Sequence, residues 1–186
     1  MTPWEARLRE KLGSAQPGDL PTEKPFSSVL VPIGWNDDTH RDEILLTKRT
    51  MSVLTHKGQI SFPGGFHSPK DRTLLDTALR ETWEEIGMES QYVEILGALS
   101  PVTTLRRISI YPWVGRVKFP HPFVLNTAEV DRLVVLPLTR LLEEGVNPVQ
   151  VDVDGVAVKS IGISVDGELV WGATAMMLKE LRSLLL

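Results

Sequence analysis

Apolar and polar positions along the chain follow two periods. Segments 28–33 and 43–48 are apolar runs bounded by polar turn residues, which predicts strands. The polar segment 35–42 between them predicts a hairpin loop. Residues 59–62 predict a short strand that stops at a Pro63-Gly64-Gly65 loop, and further strands are expected at 92–99, 108–117 and 133–136. Segments 149–153 and 156–163 alternate around Asp154-Gly155, a hairpin turn, and Asp166-Gly167 leads into 169–171. Helical spacing appears over 3–12, where Leu8 and Leu12 share a side, and over 137–144, ended by Gly145. It returns at the C-terminus, where Ala175, Leu178, Leu181 and Leu185 line up. Residues 13–25, with Gly, Pro and Ser, predict a loop. The fold class is mixed α/β (α+β), a strand-rich sheet flanked by helices. At 186 residues it fits one domain, 1–186, with 1–25 as an N-terminal helix and loop extension.

One further helix is expected between Asp71, a plausible N-cap, and Gly87, a plausible C′ residue. Leu75, Ala78, Leu79, Thr82 and Ile86 make its packing stripe. Arg80, Glu81, Glu84 and Glu85 fall on the other side. Residues three and four apart are neighbours on a helix, so the three carboxylates converge and repel. A bound hard cation, Mg²⁺ or Mn²⁺, is the natural reason for such a cluster.

Composition narrows the alternatives. With 42% hydrophobic and 24% charged residues the chain resembles an ordinary soluble protein. A net charge of −4 argues against general nucleic-acid or membrane-surface binding. The absence of cysteine excludes disulfides, thiolate metal sites and a Cys nucleophile. Met1-Thr2-Pro3-Trp4-Glu5 does not begin a signal peptide, and no apolar run approaches the roughly 18 residues of a membrane span. A cytoplasmic location is expected.

Arg80-Glu81, Glu84-Glu85, Gly87 and Met88 resemble the Nudix box of the Nudix hydrolases. That pattern runs Gly, five residues, Glu, seven residues, Arg-Glu, an apolar residue, any residue, Glu-Glu, any residue, Gly, an apolar residue. Here the apolar position is Thr82, and the stretch between Gly65 and Arg80 is one residue longer than the general pattern. Counted forward from Gly65, Asp71 takes the first Glu position. Counted back from Arg80, Arg72 does.

The longer loop looks like the branch of the family that hydrolyses coenzyme A and its derivatives. Leu45-Leu46-Thr47-Lys48-Arg49-Thr50 followed by Gly58-Gln59-Ile60-Ser61-Phe62-Pro63-Gly64-Gly65 resembles that branch's upstream signature at the same spacing. The signature's second Arg is Leu54 here, which loses a charge. Later segments, including 111–115 and 171–175, add weaker likeness.

The resemblance implies a Nudix fold, a mixed sheet between helices, and metal-dependent hydrolysis of a small-molecule nucleoside diphosphate substrate. It implies Glu81 and Glu85 as metal ligands, with Glu84 nearby as ligand or water-holder and a backbone carbonyl of Gly65 adding an oxygen. The metal would be Mg²⁺ or Mn²⁺. Arg80 would orient the carboxylates, and Glu129 is the candidate general base. Arg49, the signature Arg, would meet phosphate, with His56, Lys57, Gly64, Arg106 and Arg107 as further substrate-binding candidates. Trp83, Trp113 and Trp171 either stack on a base or pack, and His67 reads as an ordinary loop residue. The substrate expected is coenzyme A or acyl-coenzyme A, giving 3′,5′-ADP and 4′-phosphopantetheine or its acyl form. The alternatives are the same chemistry on ADP-ribose, a dinucleotide or a nucleoside triphosphate, or a non-catalytic binding module of this fold. The apolar strands of 149–163 serve as core or interface, so a homodimer is compatible with the sequence.

Overall fold

A computed structural model describes residues 2–12, 20–21, 25–51, 58–153 and 155–186. Leu54, His56 and Lys57 lie outside the described residues, as does Asp154 of the expected hairpin turn. The central strand is β1 (Phe26–Asn36). Its apolar run is continuous because both faces are covered. Val29, Val31 and Ile33 enter the main core on one side, while Phe26 and Leu30 pack on the other.

Four-residue turn 37–40 joins β1 to antiparallel β2 (Arg41–Arg49), so the loop is shorter than the expected 35–42. The two strands stay paired only from Ile33↔Ile44 to Asn36↔Arg41. Beyond that they splay. β3 (Ile60–Ser61) pairs with β2, and β4 (Gly64–Phe66) pairs with β1. The expected Pro63-Gly64-Gly65 loop is thus partly a strand, a wedge in the splayed sheet. Its glycines hid this from a reading based on side-chain alternation.

Helix α2 (Leu74–Ile86) crosses the face of β1 next to the wedge. Thr73, not Asp71, is the N-cap, in a capping box with Asp76. Gly87 ends the helix in the left-handed region, φ 70°, as expected. The packed side is Leu74, Thr77, Ala78, Thr82, Glu85 and Ile86, with Leu75 only half-buried. Glu85 therefore belongs to the buried side, a correction to its expected place opposite the stripe. The stripe is rotated because the wedge, not the main core, covers that edge of the helix.

After a 3₁₀ turn at Ser90–Tyr92 come β5 (Glu94–Ala98), β6 (Val102–Thr103) and β7 (Ser109–Arg116). β7 runs parallel to β1. β8 (Val130–Pro137) pairs with β2 along its length and begins three residues earlier than expected. Helix α3 (Leu138–Glu144) ends at Gly145 as expected. β9 (Asn147–Val153), β10 (Val156–Val165) and β11 (Glu168–Trp171) form a separate antiparallel sheet. Asp166 and Gly167, φ 51° and 79°, make the tight turn predicted from their sequence.

Helix α4 (Gly172–Leu185) and α1 (Pro3–Leu12) close the main core opposite α2, through Leu178, Leu181 and Leu185 and through Trp4 and Leu8. Among the described residues eight strands share one mixed sheet and three make the second. This is the mixed sheet between helices that the sequence predicts. Among the described residues no helix is long and apolar enough to cross a membrane.

Candidate active site

The site lies where α2, the wedge β4 and the end of β2 meet. Glu85 is 3% exposed, and its Oε2 accepts the Gly64 amide at 3.2 Å. Arg49 reaches its other oxygen at 3.5 Å. Burial, chiefly, pushes the Glu85 carboxyl up to about 7, and the negative charges of Glu81 and Glu129 add to the shift. Glu81 is also raised, first by burial and then by Glu84 and Glu129, against the opposing pull of Arg80. Glu129 is therefore within electrostatic reach of both, as its candidacy requires. It sits just before β8, where Asn126 Nδ2 donates to it at 3.3 Å and its own carbonyl accepts the Thr50 amide at 2.9 Å.

The glycines make this convergence feasible. A Cβ on Gly65 would lie 2.3 Å from Glu81 Oε2, and one on Gly64 only 2.4 Å from the Ser28 carbonyl. Gly64 also has φ 148°, which an L side chain rarely adopts. Gly65→Ala should drive the Glu81 carboxylate from its position. The measurable result is a fall in kcat of about a hundredfold with little change in Tm, because the displaced atoms are a side-chain tip.

Arg80 organises the acidic group. Its Nε and Nη2 grip Asp71 at 2.8 and 3.0 Å, and Nη1 donates to Glu81 at 2.7 Å and Glu84 at 3.1 Å. Nη2 also donates to the Phe66 carbonyl of the wedge at 3.2 Å. All five guanidinium N–H groups thus have acceptors. The structure resolves the two ways of counting the box. Asp71 is buried against Arg80, Thr77 and the Ser68 amide, while Arg72 is exposed. Arg80 above all holds the Asp71 carboxyl down at about 2.

His67 was expected to be an ordinary loop residue and is instead nearly buried. It stacks on Phe26 at 5.1 Å and has Nδ1 3.2 Å from Thr77 Oγ1. No local pattern marked it, because its partners lie about ten residues on and forty back.

Arg49 reaches the site from the last position of β2, where the register with β8 shifts by one residue, and its Nη1 lies 3.5 Å from Glu85. Its buried Nε has no acceptor among the described atoms. Arg107 is exposed at the tip of the β6–β7 hairpin with φ 59°, and no described bond joins it to the carboxylates. Trp113 packs in the core beneath α2, which excludes it as a base-stacking platform, whereas Trp83 is exposed on the outer side of α2.

As the side chains stand, no three acidic or imidazole groups among the described residues enclose a cation position. Arg80 draws Glu81 and Glu84 to itself, and the Gly64 amide with Arg49 holds Glu85. The donor set nevertheless suits a hard divalent ion. It is all oxygen, and two of its carboxyls have pKa values raised by burial and by neighbouring carboxylates. Glu84, 46% exposed at its side chain, is tied to the group by its 3.1 Å ion pair with Arg80.

Residues 25–152 match the family model described as NUDIX domain. A protein of Yersinia enterocolitica named uncharacterized Nudix hydrolase NudL is 31% identical over 174 residues, covering 93% of this chain and 88% of that one. The protein of that name from Yersinia pestis is 30% identical over 181 residues, covering 93% and 89%. A MutT/nudix family protein from Enterococcus faecalis superposes with a TM-score of 0.56 at 16% identity, over 88% of this chain and 63% of that one. An Ap4A hydrolase from C. elegans superposes at 0.51 and 18% identity, over 64% and 85%. These two show the fold. The family model and the sequence relatives show more: this chain belongs to the Nudix family and is a hydrolase of pyrophosphate bonds.

Proposed function

We propose that the protein hydrolyses the pyrophosphate bond of coenzyme A or acyl-coenzyme A, releasing 3′,5′-ADP and 4′-phosphopantetheine or its acyl form. The observation that carries this reading is Arg49. The upstream signature names this residue, and its partly buried side chain stands 3.5 Å from Glu85 with a buried Nε that has no acceptor among the described atoms. A phosphoryl oxygen would satisfy that donor.

In this reading Glu81 and Glu85 hold Mg²⁺ or Mn²⁺, with Glu84 and the Gly65 carbonyl as further oxygens. When bound, the metal neutralises phosphoryl charge and acidifies water. Arg80 holds Glu81 and Glu84 in register through Asp71. Glu129, kept in place by Asn126, takes the proton of the attacking water, and Arg49 meets the charge that develops on the phosphoryl oxygens.

A panel of coenzyme A, acyl-coenzyme A, ADP-ribose, a dinucleotide and a nucleoside triphosphate at fixed Mg²⁺ tests the substrate. The expected result is highest kcat/KM for coenzyme A or its esters, with 3′,5′-ADP as product. Arg49→Met should lower kcat/KM about a hundredfold, the worth of a charge-assisted contact of roughly 3 kcal/mol. Preference for ADP-ribose or another nucleotide, in keeping with Leu54 at the signature's second Arg, would replace the coenzyme A reading.

A further inference from the structure

A groove of about 180 Å³ lies along the β2–β8 pair. Leu45, Leu133 and Val135 make its floor, and Phe119, Pro120 and Phe123 make one wall. Side chains alternate along a strand, so Glu43, Leu45, Thr47 and Arg49 share one face of β2. Leu133 pairs with Thr47, two residues from Arg49. The groove therefore begins about 7 Å from Arg49 and runs away from it for about another 13 Å, at roughly 3.3 Å per residue.

The chain also links the groove to the site. The segment that supplies Phe119 and Phe123 continues along the end of α2, where the Val124 and Asn126 amides donate to Ile86 and Glu85. It then delivers Glu129. One loop thus shapes both places.

The lining limits what can bind. Among the lining residues Glu43 is the carboxylate and His121 the one other ionisable side chain. Glu43 is buried at the far end and kept ionised by hydrogen bonds from Asn36, Thr39 and Arg41. An anionic group is repelled there. A flat base fits poorly, because the Phe119 and Phe123 rings lie 6.3 Å apart at 41° and pack against each other, leaving no parallel gap. Aliphatic floor and ring edges suit a neutral, unbranched chain.

We propose that this groove is the subsite for the neutral arm of the substrate, receiving the thiol end of a pantetheine chain and the first methylenes of an acyl group attached to it. The proposal rests on the coenzyme A reading above. Reach agrees with it. About thirteen bonds separate phosphorus from sulfur in that arm. At roughly 1.2 Å of advance per bond, its sulfur lies about 15 Å from the phosphate, level with Leu45.

The test uses 4′-phosphopantetheine and its S-hexanoyl ester as probes, neither of which carries the nucleotide. Calorimetry on the wild-type protein should show the ester binding about tenfold tighter, with NMR shifts at the methyls of Leu45, Leu133 and Val135. Val135→Trp, which fills the groove, should abolish that tenfold gain. Phe123→Ala removes a half-buried wall with little risk to folding, and should reduce the gain about threefold. Equal affinity for the two probes, or a gain that survives both substitutions, overturns the proposal. Coenzyme A hydrolysis with equal probe affinities would reject the groove and keep the function. Ester binding at these methyls without coenzyme A hydrolysis would keep the groove and reject the function.

Discussion

Glu85→Gln should lower kcat/KM by at least about a thousandfold while leaving the protein folded. Divalent-metal catalysis is worth several kcal/mol of charge stabilisation, and about 1.4 kcal/mol corresponds to each factor of ten. The glutamine keeps an oxygen to accept the Gly64 amide, so the tether between α2 and the wedge survives. What it loses is charge.

That loss should stabilise the metal-free protein near neutral pH. Folding raises the Glu85 carboxyl from its ordinary 4.5 to about 7. The folded state thus retains a proton that the unfolded chain has already released. Stability is fully present below about 4.5 and falls as pH rises through 7, by a total of about 3 kcal/mol. Metal-free wild-type protein should show this decline in urea denaturation between pH 5 and 8, and Glu85→Gln should lack most of it. A mutant that hydrolyses substrate at the wild-type rate would remove Glu85 from the metal site.

Arg80→Met should damage both stability and activity. Asp71 is buried, and Arg80 supplies two of its hydrogen bonds and its counter-charge. Removing one partner of such a pair leaves an unpaired buried charge and costs about 3 kcal/mol. Glu81 and Glu84 would lose their common anchor as well, so kcat should fall about a hundredfold from misplacement alone. Arg80→Lys should rescue little, because an ammonium cannot serve Asp71 in bidentate fashion while also reaching Glu81, Glu84 and Phe66. Asp71→Asn combined with Arg80→Met should recover part of the stability but not the activity. Equal activity for Arg80→Lys and wild type would show that the fork geometry does not matter.

Elements with strong side-chain periodicity were legible from sequence. The hydrophobic runs of β1 and β2, the αL glycine that ends α2, the short helix closed by Gly145 and the Asp166-Gly167 turn all carry local signals. Arg80 beside Glu81 and Glu84 was legible for the same reason, since helical spacing alone makes them neighbours.

Whatever depends on distant pairing was not legible. The wedge β4 has almost no side chains to show a period, and only its pairing with β1 makes it a strand. Glu85 looked exposed because the helix pattern cannot show that the wedge covers its edge. Asp71 and Arg72 were tied in the count, and burial beside Thr77 and the Ser68 amide decides between them. The place of Arg107, exposed at the tip of the β6–β7 hairpin and without a described bond to the carboxylates, is set by that hairpin and not by any local pattern. His67 gains its place only from Phe26 and Thr77 across the fold.

The central claim is that Glu85 and its neighbours form a divalent-cation site. Its most direct test is calorimetric titration of Mg²⁺ into substrate-free protein at pH 8, for wild type and Glu85→Gln. Saturable binding in the wild type, with proton release growing as the pH is lowered toward 7, and at least tenfold weaker binding in the mutant are predicted. Equal Mg²⁺ affinity in the two proteins would contradict the account.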